Sequence, residues 1–270
     1  MPDPETQAAK PESVGSPDPA QLFPFPLDDF QLDAIDALNQ GHSVVVSAPT
    51  GSGKTLIGEY AIHRAMAHGQ KVFYTTPLKA LSNQKLRDFR EQFGVENVGL
   101  MTGDLSVNRD ASIVVMTTEI FRNMLYAEAD EHDDPLADVE AVVLDECHYM
   151  NDSQRGTVWE ESIIHCPPVV QLVALSATVA NAGQLTDWIE RVHGPTRLVL
   201  SDFRPVPLQF SFCSAKGLHP LLNDEGTGLH PNCKVWRAPK GHKRKGRSPR
   251  PPQPEPCLLY TSPSPRDTMS

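Results

Sequence analysis

Eight residues constrain this chain more than any others: Ala48-Pro-Thr-Gly-Ser-Gly-Lys-Thr55. They follow the apolar strand Val44–Val46, within the run Ser43–Ala48, and open a helix predicted over Lys54–His68. A glycine-rich loop between a buried strand and a helix is a phosphate cradle, the P-loop. Its glycines let the backbone curl so that successive N–H groups converge on phosphate oxygens. The helix N-terminus adds positive potential. Lys54 is placed to reach the β- and γ-phosphates of a nucleotide, and Thr55 to hold magnesium through its hydroxyl. Ala48 stands where the strict pattern has its first glycine, while Gly51 and Gly53 keep the phosphate-facing pair.

Such a loop needs a sheet behind it, and the sequence supplies one. Short runs rich in β-branched residues recur at Lys71–Thr75, Ile113–Met116, Ala141–Asp145, Gln171–Leu175 and Arg197–Leu200. None alternates with polar residues, as expected of strands covered on both faces. Helical stretches fall between them at Leu78–Phe93, Thr118–Ala127, Thr157–His165 and Gln184–Val192. This alternation predicts an α/β fold, a parallel sheet with helices on both faces.

The second half of a phosphate-cleaving site is an acidic pair at the end of another buried strand. Val142-Val-Leu-Asp145-Glu146-Cys147-His148 provides it. Asp145 sits where a carboxylate holds magnesium, and Glu146 where one polarises the attacking water. His148 taken alone is equally compatible with a structural histidine.

Composition narrows the class further. The 270 residues carry 24 basic and 34 acidic side chains, a net charge of −10. Hydrophobic residues make 39%, too many for a wholly disordered chain. No apolar run approaches the roughly 18–20 residues of a membrane helix, and no secretory leader is visible. Cys147, Cys166, Cys213, Cys233 and Cys257 show no CxxC spacing, which favours a reducing, cytoplasmic setting. Cys213 and Cys233 with His219 and His230 match no standard zinc spacing. Residues 1–20, rich in Pro, Glu, Asp and Ser, read as a disordered leader. Lys234 to Arg250 hold eight basic residues and no acidic one. That segment reads either as an arm contacting a phosphate backbone or as a solvated linker.

Three motifs, taken in order, identify a family. APTGSGKT (48–55), DECH (145–148) and Ser176-Ala-Thr178 resemble motifs I, II and III of superfamily-two helicases, in the DExH branch. Phe25-Pro-Leu-Asp-Asp-Phe-Gln31 is similar to the family's leading segment, whose Gln meets the adenine ring. Thr76-Pro-Leu-Lys-Ala-Leu-Ser-Asn-Gln-Lys85 resembles motif Ia, and Met101-Thr-Gly-Asp104 and Thr117-Thr-Glu119 resemble the adjoining strand-contacting motifs. The run from Asp145 to Glu161, with Arg155-Gly-Thr-Val-Trp-Glu-Glu161, resembles the superkiller and exosome-associated DExH RNA helicases, as does Arg204-Pro-Val-Pro-Leu208. The resemblance spans Phe25 to Phe212.

It implies a RecA-like P-loop NTPase domain over 21–206, binding ATP with magnesium between itself and a second such domain. The nucleotide would meet Phe25, Gln31 and the loop Ala48, Pro49, Thr50, Gly51, Ser52, Gly53, Lys54 and Thr55. Thr55 and Asp145 would hold magnesium, and Lys54, Asp145 and Glu146 would act in catalysis. His148, Ser176 and Thr178 would couple nucleotide state to movement. Pro77, Lys79, Thr102, Gly103, Thr117 and Thr118 would grip the backbone of single-stranded RNA without reading bases. DNA stays open as the strand, and RNA-decay machinery is the partner the resemblance implies. A module that holds ATP without turnover is the rival from another class.

No second set of strands is legible after Phe212. Residues 207–256 read as the start of an interdomain linker, and the chain as a piece of a longer motor. Cys257-Leu-Leu-Tyr-Thr-Ser-Pro-Ser-Pro-Arg-Asp267 matches one frame of a transposase-based sequencing adapter. The expectation is that 257–270 is not part of the natural protein.

Overall fold

The computed structural model describes residues 15–126, 135–152, 156–214, 217–223 and 226–230. The leader up to residue 14, the basic segment 234–250 and the adapter-like 257–270 lie outside them. The chain divides into two compact units, Met1–Arg204 and Pro205–Ser270.

The first unit is a twisted α/β layer structure. In chain order it runs α1 (Pro19–Leu22), α2 (Asp29–Asn39), β1 (Ser43–Ser47), α3 (Thr55–Ala67), β2 (Lys71–Thr76), α4 (Lys79–Phe93), β3 (Val98–Met101) and β4 (Ser106–Val107). It continues with β5 (Ile113–Thr117), α5 (Thr118–Tyr126), β6 (Val139–Leu144), a 3-10 turn (Cys147–Asn151) and α6 (Gly156–His165). β7 (Gln171–Ser176), α7 (Ala182–Val192) and β8 (Thr196–Leu200) complete it. Among the described residues the sheet has eight strands in the order β4-β3-β5-β2-β6-β7-β1-β8. All neighbours are parallel except β3 and β4.

Burial on both faces explains the continuous apolar runs except Arg197–Leu200, which forms the edge strand β8 and buries only Val199. Val44 and Val46 join one core with Ile57, Tyr60 and Phe89 of α3 and α4, whereas Val45 joins another with Phe121, Trp159 and Ile189 of α5, α6 and α7. Successive side chains of a strand point to opposite faces, so an uninterrupted Val-Val-Val feeds both cores. At the amino ends of the strands, the buried Arg64 guanidinium donates to Glu140 (2.5 Å), to the Leu38 carbonyl (2.6 Å) and to Gln171. Its charge is therefore paired.

Four differences from the sequence expectation have physical reasons. Helix α2 was not expected; it buries Phe30, Ala34, Ile35, Ala37 and Leu38 and starts on a capping box between Asp28 and Gln31. Strands β3 and β4 were not expected either, and their antiparallel pairing breaks the all-parallel pattern. A Cβ on Gly99 would strike the Asn108 carbonyl, so only glycine lets these strands approach. The assigned leader ends earlier than residue 20. Asp18 caps α1 by accepting from Ala20 N–H (3.0 Å), and the Tyr60 hydroxyl donates to the Pro17 carbonyl (3.2 Å).

The second unit carries regular structure within the segment read as the start of a linker. β9 (Ser211–Ser214) and β10 (Gly217–Pro220) form an antiparallel pair, and Leu222 bridges to Leu229. Asn223 Oδ1 accepts from the N–H groups of Thr227 and Gly228 (2.9 and 3.1 Å), closing the turn between them. No helix among the described residues is long and apolar enough to cross a membrane.

Candidate nucleotide site and strand-contacting edge

The P-loop leaves the carboxyl end of β1 and turns into α3. Gly51 and Gly53 have φ of +84° and +86°, the left-handed region that glycine enters without steric cost. A Cβ on Gly53 would lie 2.8 Å from Gln31 Nε2. That contact is an interaction in use: Gln31 Nε2 donates to the Gly53 carbonyl at 3.1 Å, and Gln31 Oε1 accepts from Asp28 N–H at 2.9 Å. Gln31, 5% exposed, thus ties α2 to the loop through both ends of its amide. Phe25 is 54% exposed, its ring 6.1 Å from Phe23.

Lys54 Nζ donates to the carbonyls of Ala48 and Pro49, both at 2.8 Å. Burial lowers its pKa, and the carboxylates of Glu146 and Asp145 oppose that shift. These two acids therefore lie near enough to the lysine for their charges to act on it. Asp145 follows β6; its Oδ2 accepts from the Tyr74 hydroxyl (2.8 Å) and its Oδ1 from Glu146 N–H (2.9 Å). Glu146 has φ of +54°, an uncommon conformation for a residue with a side chain. It starts the 3-10 turn that carries His148.

His148 Nδ1 lies 3.4 Å from both Glu146 Oε2 and Ala177 N. With a proton on Nδ1 the ring donates to Glu146; with the proton on Nε2 it accepts from Ala177 N–H. The DECH segment is thereby joined to Ser176-Ala-Thr178 at the end of β7. Ser176 is fully buried and its hydroxyl donates to the Ala177 carbonyl (2.9 Å), while Thr178 is exposed. Ser47, paired in register with Ser176, accepts from Val179 N–H (3.3 Å).

The six strand-contact candidates gather on the other half of the same edge. Pro77 follows β2, Thr102 and Gly103 follow β3, and Thr117 and Thr118 join β5 to α5. β3, β5 and β2 are neighbours in the sheet. Lys79 Nζ donates to Asp104 Oδ1 (2.8 Å), which also accepts from the Thr102 hydroxyl (2.9 Å). Lys79 and Thr102 together hold the Asp104 carboxyl below its ordinary range. Pro77, Thr117 and Thr118 are buried, and the Thr118 hydroxyl donates to the Thr76 carbonyl (3.3 Å).

Residues 28–185, more than half of the chain, match the DEAD/DEAH box helicase family. The chain belongs to that family. Among curated relatives of this helicase domain, a chloroplastic DExH-box ATP-dependent RNA helicase of Arabidopsis thaliana is 56% identical over 77% of the chain and 18% of its own length. The antiviral helicase SKI2 of Saccharomyces cerevisiae is 48% identical over 80% of the chain and 17% of its own. The probable helicase HelY of Mycobacterium leprae is 46% identical over 85% and 26%. These relatives agree with the superkiller-type DExH resemblance of the motifs, and the chain spans 17–26% of their lengths. In fold, the helicase domain resembles the DUF1998 helicase MrfA, solved with DNA and AMPPNP. The TM-score is 0.55 and identity 22%, over 66% of this chain and 27% of that one.

Sequence reasoning missed Tyr74 and Ser47, and it named Lys85 and Asp104 only as the last residues of motif strings, without a role of their own. Tyr74 carried a signal of its own: a polar-tipped ring inside the apolar run of β2, which needs a partner when buried.

Proposed function

We infer that this helicase domain is the ATP-binding first motor domain of an ATP-dependent RNA helicase that moves along single-stranded RNA. One observation carries the reading. The lysine of the P-loop, the acids Asp145 and Glu146 and the Ser-Ala-Thr segment come from β1, β6 and β7, adjacent strands ending on one edge.

ATP would lie across residues 48–55, with the curled backbone N–H groups and Lys54 on its phosphates. The donor set suits magnesium: the Thr55 hydroxyl and the Asp145 carboxylate are hard oxygens. Ser52 Oγ, buried in the loop with no partner among the described residues, adds a polar group within the cradle. A magnesium ion held there would neutralise charge on the phosphate oxygens. Glu146 would orient the attacking water and take its proton. Lys54 gives up its two carbonyl partners to the phosphates, and His148 passes the state of Glu146 to Ala177. Gln31, already holding Gly53, would link adenine recognition to the loop.

The strand would lie along the ends of β3, β5 and β2, gripped by Lys79, Thr102 and Gly103 and by the backbone around Pro77, Thr117 and Thr118. Such contacts favour no base sequence. A second RecA-like domain is the partner the reading requires for turnover, and RNA-decay machinery the setting. Desolvation pushes the pKa of the buried Cys147 and Cys166 thiols up to about 12, which leaves them poor nucleophiles; a cytoplasmic setting is part of the same reading.

The test is ATP hydrolysis by a longer chain carrying this domain and a second motor domain, without nucleic acid, with single-stranded RNA and with single-stranded DNA. RNA is expected to stimulate. Stimulation by DNA alone would overturn the choice of strand.

A further inference from the structure

Two polar side chains beside the nucleotide residues, Tyr74 of β2 and Lys85 of α4, have no part in the roles given so far. Tyr74 is fully buried, and its hydroxyl donates to Asp145 Oδ2 at 2.8 Å. Asp145 Oδ1 is held by Glu146 N–H. Each carboxylate oxygen has two lone pairs, so both oxygens are anchored and each keeps one pair for another partner.

Lys85 Nζ lies 3.5 Å from Thr55 Oγ1 and 5.3 and 5.7 Å from the ring centroids of Tyr74 and Phe89. Those ring distances are within cation–π range. The two rings pack edge to face at 5.0 Å, which fixes the floor under the ammonium. An ammonium only donates, so Thr55 Oγ1 accepts and retains a second lone pair.

We propose that Tyr74 and Lys85 are positioning residues for the magnesium-holding oxygens of Asp145 and Thr55. Tyr74 acts directly on Asp145, and Lys85 acts on Thr55 as a prop seated on the Tyr74 ring. The inference rests on the reading of Asp145 and Thr55 as the magnesium-holding groups. Partners that orient metal ligands typically change metal affinity by about 10–100-fold when lost. The pair also has a definite origin. β2 and α4 lead into and out of Pro77 and Lys79, so it reaches from the strand-contacting half of the edge into the nucleotide half.

Tyr74→Phe keeps the ring and removes only the hydroxyl. The experiment is an equilibrium titration of a fluorescent ATP analogue into the 270-residue chain, once with magnesium and once with EDTA. Wild type is expected to bind more tightly with magnesium. Tyr74→Phe should lose roughly tenfold of that gain while keeping wild-type affinity in EDTA. Lys85→Met should lose a smaller part, and Lys85→Arg should restore it. A magnesium gain that is the same in wild type, Tyr74→Phe and Lys85→Met would overturn the pair alone. An equal loss with magnesium and with EDTA would also overturn it, since that is general damage. No magnesium gain in wild type would overturn the Asp145–Thr55 reading and the pair with it.

Discussion

The two halves of the carboxyl edge differ in how they hold their charged side chains. Around β6, β7 and β1 the polar groups are sunk among strands and locked to one another: Lys54 on two carbonyls, Asp145 on Tyr74 and Glu146, Ser176 on Ala177. Around β3 and β2 the charged contact is a surface pair, with the side chains of Lys79 and Asp104 55% and 70% exposed. Charges and dipoles fixed in a partly dry site act strongly and need no rearrangement when charge develops. Exposed charges are screened and weak singly. A site that cleaves phosphate gains from the first arrangement. A grip that must release and advance along a strand gains from the second.

This contrast can be broken by substitutions that ought to act on one half only. The largest effect is expected for Glu146→Gln in a longer chain with both motor domains. Hydrolysis should fall by about 10²–10⁴, the usual worth of a general base, while a nucleotide titration shows binding retained. Lys54→Ala should weaken nucleotide binding roughly a hundredfold, by removing a part-buried charge that phosphates would pair, and leave single-stranded RNA binding unchanged. Lys79→Ala should act in reverse. RNA affinity should drop severalfold and the salt slope by about one phosphate contact, with nucleotide binding unaltered. Asp104→Asn should do the opposite of Lys79→Ala and raise RNA affinity a few-fold, because it removes the negative charge that pairs with Lys79 and would repel a phosphate backbone. The smallest effect belongs to Thr118→Ala, which removes a buried bond to Thr76 and should cost about 1 kcal/mol in chemical unfolding.

Most of the strand set was legible because burial on both faces leaves apolar runs with no alternation, and β1, β2, β5, β6 and β7 coincide with such runs; β8 was legible as an apolar run although it lies at the sheet edge and buries only Val199. The short β3 and the exposed β4 were hidden, since Val98–Met101 contains Gly99 and Ser106–Val107 is only two residues. Helix α2 was masked by a motif that ends inside it at Gln31. The loop and the acid pair were readable as local strings whose residue types follow from phosphate chemistry. Tyr74, Lys85 and Asp104 were not, because each acts on a residue 71, 30 or 25 positions away through strand order and register. No local pattern encodes those distances.

The central claim is that one edge carries two separable binding sites. Titrating a fluorescent ATP analogue with magnesium into wild type, Lys54→Ala and Lys79→Ala tests it most directly. Tight binding by wild type and Lys79→Ala, with loss confined to Lys54→Ala, is the expected result. Equal affinity in all three, or loss in both variants, would contradict it.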